Sequence, residues 1–332
     1  MSASSSHRRS SVSASHAPSV CSEHGVATKH LTKRRRAFTI VETLTVAAVC
    51  SVWMSIAMPY LQSARLGSQR VQCKNQLKQL GLAMHNYHDV YRTFPPGWNT
   101  RVPTEKGYAT LGWAVSILPF LDESQLFLNL DTDLLYGGTA QQTAMLRTKV
   151  AAYRCPSDVT PKTNSFRGGW GTNNYVGNFG STAIPRWDPL SGDGPGQVPS
   201  LPAGTSRNRS SKSNYANGIM AINSKVRIRD ITDGTSNTFM IGERSVVGKA
   251  AIWPGPRSNF NESDVVADGS FASTLHQSAT SYGSRHTKGG INIGLCDGSV
   301  RTITADLESK ADGSGLLQRL SARNDGMLIG EF

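Results

Sequence analysis

Three side chains near the C-terminus, Ser284, His286 and Asp297, could form a nucleophilic hydrolase site. Hydrolases of this type activate a serine hydroxyl with an imidazole that a carboxylate orients. No Gly-x-Ser-x-Gly elbow accompanies these residues, and the chain contains no phosphate-binding loop or dinucleotide fingerprint. A structural hairpin is therefore the favoured interpretation, an exported hydrolase is a weaker alternative, and we do not expect an enzyme.

The chain contains residue types that could bind a metal, but their spacing in the sequence does not match a known metal site. His85, His88 and Asp89 place two imidazoles and a carboxylate on one predicted helix, without a further ligand at a zinc-type spacing. Asp-Gly pairs also occur, among them those at positions 233–234, 268–269 and 297–298. Such pairs favour turns, and no twelve-residue calcium loop surrounds them. We expect no metal site and no cofactor, with calcium binding as the alternative.

An apolar run from Phe38 to Tyr60 contains a single charge, Glu42. As a helix rising about 1.5 Å per residue, the run is long enough to cross a hydrocarbon core of about 30 Å. A carboxylate at bilayer centre costs about 2.5–3.5 kcal/mol, so Glu42 requires an explanation. Cleavage between Ala37 and Phe38 would supply one, because the new α-amino group would lie about one helical turn from the carboxylate.

This junction resembles the cleavage and methylation site of type IV prepilins and type II secretion pseudopilins. Its residues are a basic triplet, Ala37, and then Phe38-Thr39-Ile40-Val41-Glu42. The family usually has Gly where this chain has Ala37, which is also small. The resemblance implies cleavage before Phe38 by a prepilin peptidase, N-methylation, and a role for Glu42 and Pro59 in assembly. The alternatives are an ordinary signal peptide, whose apolar core is shorter, and an uncleaved signal anchor.

The elements that carry these residues follow from periodicity. Apolar residues recur every three or four positions after Tyr60, so one helix is predicted over residues 38–91, with a possible bend at Pro59. The predicted organisation is a cleaved basic leader (1–37), a transmembrane stem (38–60), its continuation (61–93) and an exported domain (94–332). Short strands are expected at 174–176, 218–222, 238–242, 291–295 and 299–303. The predicted fold class is α+β and pilin-like, with the helix packed on a mostly antiparallel sheet with long loops.

A second resemblance covers most of the chain. Its motifs are residues 72–88, 94–97, 155–158, 174–177, 231–238 and 242–243, and a terminal pattern of His286 with Asp297-Gly298. Together they are similar to a large bacterial pilin-like family of unknown function, whose terminal signature is His, nine residues, then Asp-Gly. This chain has ten residues in that interval.

Three cysteines, Cys73, Cys155 and Cys296, fall in the predicted exported part. An oxidising compartment would allow one pair, and the sequence does not determine which. We predict that Cys73 pairs with Cys155, which would tie the stem helix to the domain and leave Cys296 reduced in a strand. Type IV major pilins often have two nearby C-terminal cysteines, which this chain lacks, so a pseudopilin or minor pilin is preferred.

The formal net charge of +12 does not indicate a nucleic-acid partner. Residues 1–37 hold seven Lys/Arg and one acid, which cleavage would remove. A basic stretch on the stem has no interleaved aromatics, and comprises Arg65, Arg70, Lys74 and Lys78.

We expect a single-pass inner-membrane protein with its C-terminal domain in the periplasm or at the cell surface. Its expected partners are the prepilin peptidase, other pilin-like subunits and inner-membrane lipid. A monomeric anchored binding module is the alternative.

Overall fold

The computed structural model describes residues 39–100, 110–132, 138–181, 216–257, 262–270, 281–286, 290–304, 315–327 and 329–330. The predicted leader and the predicted cleavage point between Ala37 and Phe38 lie outside these residues. The chain divides into two compact units between Ile56 and Ala57.

Helix α1 extends from Ile40 to Tyr91, 52 residues, close to the predicted bounds. It begins where the Thr39 hydroxyl accepts the Glu42 N–H at 3.3 Å, which satisfies one of the free donors of the first turn. Pro59 lies inside the helix without ending it. The helix ends where Arg92 adopts a φ of 61° and two prolines follow at 95 and 96.

In the first unit, the described chain is almost entirely α1, and none of its residues is buried. Its threonine and serine hydroxyls nevertheless bond within the helix. The hydroxyls of Thr43, Thr45, Ser51 and Ser55 each donate to a carbonyl three or four residues earlier, at 2.7–2.9 Å. Bonds of this kind hide hydroxyls from an apolar solvent.

In the second unit, the later turns of α1 contribute to the core. Cys73, Leu77, Leu80 and Met84 are fully buried, with the three- and four-residue spacing of one helix face. They belong to a cluster that also contains Phe94, three tryptophans and buried residues of the sheet. A second cluster joins other strand side chains to a short C-terminal helix. The sheet therefore has an apolar layer on each face.

In the described residues, ten strands make up three sheets. Their bounds are β1 Trp98–Thr100, β2 Thr110–Gly112, β3 Thr163–Asn164, β4 Trp170–Asn173, β5 Tyr175–Gly180, β6 Phe239–Glu243, β7 Ala251–Ile252, β8 Val266–Asp268, β9 Ile291–Leu295 and β10 Val300–Ile303. The largest sheet has the order β10-β9-β6-β5-β8, and the smaller ones β1-β2 and β3-β4-β7. Pairing is antiparallel except between β5 and β8. The α+β class with a mostly antiparallel sheet is confirmed.

The remaining helices are short: α2 Trp113–Ser116, α3 Ser124–Asn129, α4 Ala140–Leu146 and α5 Leu316–Ser321. The part of the chain that the structure describes also has six 3-10 turns, at Leu118–Phe120, Ala151–Tyr153, Ser165–Arg167, Ile228–Asp230, Val246–Gly248 and Glu262–Asp264. Residues 218–222, predicted as a strand, form none. Gly218 and Met220 donate to carbonyls of β5, and Ile222 forms an isolated bridge with Trp98.

Candidate functional site

Several of the family motifs quoted above contribute residues to one buried polar cluster. Glu243, at the end of β6, is 2% exposed, and both of its carboxylate oxygens are bonded. Asn292 donates its N–H to Oε2 at 2.8 Å and its amide to Oε1 at 3.0 Å. His286 Nε2 lies 3.1 Å from the same Oε1. The Glu243 carboxylate is therefore held by the His286 imidazole and by the backbone N–H and side-chain amide of Asn292.

The sheet register explains why these side chains meet. In the antiparallel β6–β9 pair Gly242 lies opposite Ile293, so Glu243 and Asn292 are the next neighbours. In the β9–β10 pair Thr302 lies opposite Asn292 and donates to its Oδ1 at 2.7 Å. A Cβ on Gly242 would come within 2.6 Å of the Tyr282 ring, so glycine there lets the chain leading to His286 pack closely on β6.

Arg244 follows Glu243 and is fully buried. Its guanidinium donates to three carbonyls, those of Ser281 at 2.8 Å, Ser263 at 2.6 Å and Val266 at 3.1 Å. Burial lowers the pKa of Arg244 to about 9, so the side chain is still charged at neutral pH. Arg244 thus joins three separate segments through their backbone carbonyls rather than through a paired carboxylate.

Asn174 connects this cluster to the segment that contains Cys155. Its Oδ1 accepts the Cys155 N–H at 3.2 Å, while its Nδ2 donates to the Asp158 carboxylate and to the Arg244 carbonyl. Asp158 also accepts from the Thr160 hydroxyl and, at 3.3 Å, from the Val246 N–H. The Cys-Pro-Ser-Asp and Asn-Tyr motifs therefore act together to fix one loop against the sheet.

Cys73 and Cys155 are joined by a disulfide, with their Cα atoms 5.3 Å apart. This is the pairing that the sequence analysis proposed. Cys296 is a free and buried thiol, and burial, with the Asp297 carboxylate, raises its pKa well above the usual value. Cys296 lies directly after β9 rather than within the strand.

The ligand atoms of Cys73, Cys155, Glu243 and His286 all lie within 4.8 Å of one another. A cavity of about 10 Å³ borders Cys155, Asp158, Glu243 and Arg244, which is the space of about one water molecule. The cluster is thus closed to a substrate of ordinary size, but it contains two sulfurs, an imidazole and a carboxylate in ligand positions.

The hydrolase residues are not brought together as a triad. His286 contacts Glu243, whereas Ser284 donates its hydroxyl to the Gly290 carbonyl. Asp297 accepts the Ser299 N–H at 2.8 Å and forms part of its own turn. His286 and Asp297, the two members of the terminal signature, therefore lie in different parts of the fold: His286 contacts Glu243, and Asp297 belongs to a turn.

The Asp297-Gly298 turn packs on helix α1. Gly298 has a φ of 83°, which favours glycine. A Cβ added to Gly81 would lie 3.8 Å from the Gly298 Cα, and a Cβ added to Gly298 would lie 3.7 Å from His85 Nε2. The turn between β9 and β10 therefore rests against the later part of α1.

His85 and His88 surround an aromatic ring instead of converging on a metal. Their ring centroids lie 5.6 and 5.0 Å from that of Phe94, while Asp89 is exposed. Neither Nε2 atom has a hydrogen-bond partner among the residues that the structure describes. Burial lowers the pKa of His88, in spite of the opposing effect of Asp89.

The Asp233 carboxylate accepts the backbone N–H groups of Asp325 and Gly326, in keeping with a turn.

The processing and assembly residues lie elsewhere. Ala37 and Phe38 are outside the described residues, Glu42 lies in the first turn of α1, and Pro59 lies within α1. Helix α1 is long and apolar enough to cross a membrane, by length and composition.

Sequence reasoning missed the roles of Arg244 and Asn292. Asn292 interrupts the apolar strand Ile-Asn-Ile-Gly-Leu, and Arg244 follows Glu243 directly after the strand Phe-Met-Ile-Gly-Glu. A charged or amide side chain within such a run must find a partner when buried, and this signal could have identified both residues.

Comparison with known families gave one match. Residues 62–310 match the model of the family described as "Protein of unknown function (DUF1559)". Comparison with curated proteins and with solved structures gave no match. The match covers the motif-bearing part of α1 and nearly all of the second unit, including every residue of the buried cluster. The chain therefore belongs to the DUF1559 family.

Proposed function

We propose that this protein is a membrane-anchored, pilin- or pseudopilin-like structural subunit, processed before Phe38 and assembled through its stem helix. The observation that carries the proposal is the first part of α1. Every large apolar side chain from Ile40 to Leu61 is at least 56% exposed, and the threonine and serine hydroxyls within that stretch bond to the helix itself. Such a surface requires an apolar environment, supplied by lipid or by other stem helices.

Glu42 is the residue that distinguishes assembly from anchoring. Its N–H is capped by Thr39, and a carboxylate in the first helical turn is favoured by the helix dipole. These local effects explain an acid at this position in water. In an apolar phase the carboxylate also needs a cation, and a processed N-terminus of a neighbouring subunit would provide one.

The buried cluster supports a structural role. Its charged and polar groups bond to one another and to backbone, and the four ligand-bearing side chains are at most 8% exposed. A cluster of this kind fixes strand ends and a loop without presenting reactive groups to solvent.

Processing is tested by mass spectrometry of the mature N-terminus from membranes. The expected N-terminal residue is Phe38, with N-methylation, and replacing Ala37 with a bulky residue should leave the precursor intact. An intact leader in wild-type protein, or a cut after the apolar run, would contradict the proposal.

Assembly is tested by cross-linking in membranes with wild type, Glu42→Val and Thr43→Val. Loss of the carboxylate would leave a neighbouring ammonium unpaired in apolar surroundings, a cost of about 3–5 kcal/mol. Glu42→Val should therefore be inserted and cut normally but lose the oligomer ladder. Thr43→Val, whose hydroxyl bonds only within the helix, should retain it. Equal ladders in all three would reject assembly through Glu42, and no ladder in any of them would favour an anchored monomer.

A second candidate function is an anchored binding module, which a cavity of about 360 Å³ favours. Gln72, Gln76, Lys149, Arg154 and Asp158 are among its lining residues. Arg154 Nη1 is buried without a hydrogen-bond partner in the described part of the chain. Burial lowers the pKa of Arg154, with Asp158 opposing the shift. Two cations and one carboxylate give this cavity the character of a small-anion site.

The anion site is tested with inorganic phosphate and citrate, against sodium chloride at equal ionic strength. A specific site should raise Tm more than the salt control does, and Lys149→Gln should abolish the difference. Because Lys149 is exposed, this variant is expected to fold. Equal shifts in both proteins would reject this function.

A further inference from the structure

The four side chains whose ligand atoms lie within 4.8 Å of one another come from separate parts of the second unit. They are Cys73 in α1, Cys155 in the loop before β3, Glu243 in β6 and His286 before β9. We propose that this group is a redox-gated metal site. In the oxidised chain Cys73 and Cys155 form the disulfide; in the reduced chain their thiolates bind a divalent ion of the zinc class together with Glu243 and His286.

The spacing of the two non-sulfur ligands already suits such an ion. Zinc takes nitrogen and oxygen ligands at about 2.0 Å in a tetrahedral arrangement, which separates two of them by about 3.3 Å. Glu243 Oε1 and His286 Nε2 are 3.1 Å apart. The sulfurs must move from bonded contact to about 3.8 Å, the separation expected for zinc–sulfur bonds of about 2.3 Å. The adjacent one-water cavity at Cys155 and Glu243 provides room for that movement.

The surroundings fit a closed structural metal centre rather than a catalytic one. Four protein ligands complete a tetrahedral shell, and all four residues are buried. Asn292 donates to both Glu243 oxygens and is itself oriented by Thr302, as partners of metal ligands commonly are. Two thiolates, one carboxylate and a doubly charged cation leave one negative charge, which the buried Arg244 bordering the same cavity can offset.

Conversion between the two states balances as a two-electron exchange. A dithiol reductant gives two electrons and two protons to the Cys73–Cys155 bond, which yields two thiols, while the reductant becomes a disulfide. The metal ion then displaces both thiol protons, and the His286 proton resides on Nδ1 so that Nε2 can bind. A sulfur in a disulfide is not a thiolate, so the two states exclude each other.

The site is tested with Co²⁺ added anaerobically to the reduced full-length chain in detergent, after removal of the reductant. We expect a thiolate-to-cobalt charge-transfer band and the intense visible bands of tetrahedral cobalt. The oxidised chain should show neither. His286→Gln should lose the tetrahedral bands, and Asn292→Ala should weaken affinity about 10- to 100-fold. Cys296→Ser, which removes a buried thiol outside the group, should leave them unchanged.

A second measurement does not depend on variants that fold poorly. Zn²⁺ added to the reduced wild-type chain should slow alkylation of Cys73 and Cys155, mapped by mass spectrometry, and leave Cys50 unaffected. The proposal is overturned if reduced wild type gives no bands, if oxidised protein gives the same bands, or if Zn²⁺ protects neither cysteine. None of these results depends on the assembly function proposed above.

Discussion

The two segments of helix α1 are used differently, as their cysteines and their apolar side chains show. From Ile40 to Leu61 its large apolar side chains are exposed, and Cys50 is a free, exposed thiol. From Cys73 to Met84 the same helix buries an apolar face, and Cys73 is bonded to Cys155. One continuous helix thus combines a segment whose apolar side chains are exposed with one whose apolar face is buried.

The largest effect is expected from the disulfide. In the chain-entropy model, closing the loop between cysteines that are 82 positions apart stabilises the fold by about 4.5 kcal/mol. Under non-reducing conditions Cys73→Ser should lower the free energy of unfolding by about that amount, measured by denaturant titration of the full chain in detergent with tryptophan fluorescence. Cys50→Ser, on the same helix, should leave it unchanged. Equal losses in the two variants would remove the distinction between the segments.

The next effect concerns packing. Leu80 is fully buried, so Leu80→Ala removes transfer energy and leaves a cavity, at a cost of about 2–5 kcal/mol. Leu44 is 64% exposed, and Leu44→Ala should not change unfolding of the domain in the same assay. A loss for Leu44→Ala as large as that for Leu80→Ala would show that the first segment packs on the protein itself.

A smaller change in stability is expected from replacing glycines with alanine. Gly298 has a φ of 83° and lies next to α1, so Gly298→Ala should cost about 1–2 kcal/mol through backbone strain. Gly67 lies inside α1, and a Cβ there would have nothing within 4 Å. Gly67→Ala should therefore stabilise the helix by up to about 1 kcal/mol. Thermal unfolding should show shifts of opposite sign, and shifts of the same sign would contradict this account of the turn.

The smallest effect should depend on pH. The Tyr153 hydroxyl donates to the Ala114 carbonyl at 2.6 Å, so Tyr153→Phe should cost about 1 kcal/mol at neutral pH. Burial, with a smaller effect of Glu123, raises the pKa of Tyr153 well above 10.0. The unfolded chain loses this proton first, so the contribution of Tyr153 is fully present below pH 10 and declines as the pH rises above it.

The measurement is the difference in unfolding free energy between wild type and Tyr153→Phe at neutral and alkaline pH. That difference should shrink above pH 10, because only the wild type has the titrating group. A constant difference would show that the hydroxyl is not shielded as the structure indicates.

The local pattern of the sequence was enough to predict α1 and several strands. The strand at 291–295 has the predicted bounds, and the one predicted at 299–303 begins one residue later, at Val300. Residues 218–222 have a similar apolar composition but run alongside β5 without forming a strand, because close approach to Gly180 and irregular bonding replace a regular ladder. Local propensity does not contain that tertiary contact.

The buried cluster was harder to predict for the same reason. Glu243 and His286 are 43 positions apart, and the two bonded cysteines are 82 apart. No spacing rule applies to side chains that a sheet register and a helix bring together. The Cys73–Cys155 pairing was predicted as a link between the stem helix and the domain, while the proximity of that pair to Glu243 and His286 required the structure.

The position of the disulfide has a mechanical consequence. Tension applied between the N-terminal end of α1 and any point after Cys155 passes from one sulfur to the other. The disulfide bypasses the chain between the two cysteines, which therefore carries none of that load. This part of the chain contains the end of α1, strands β1 and β2 and helices α2 to α4. A pulling experiment on the oxidised protein should therefore give a contour length shorter by this loop, and reduction should restore it.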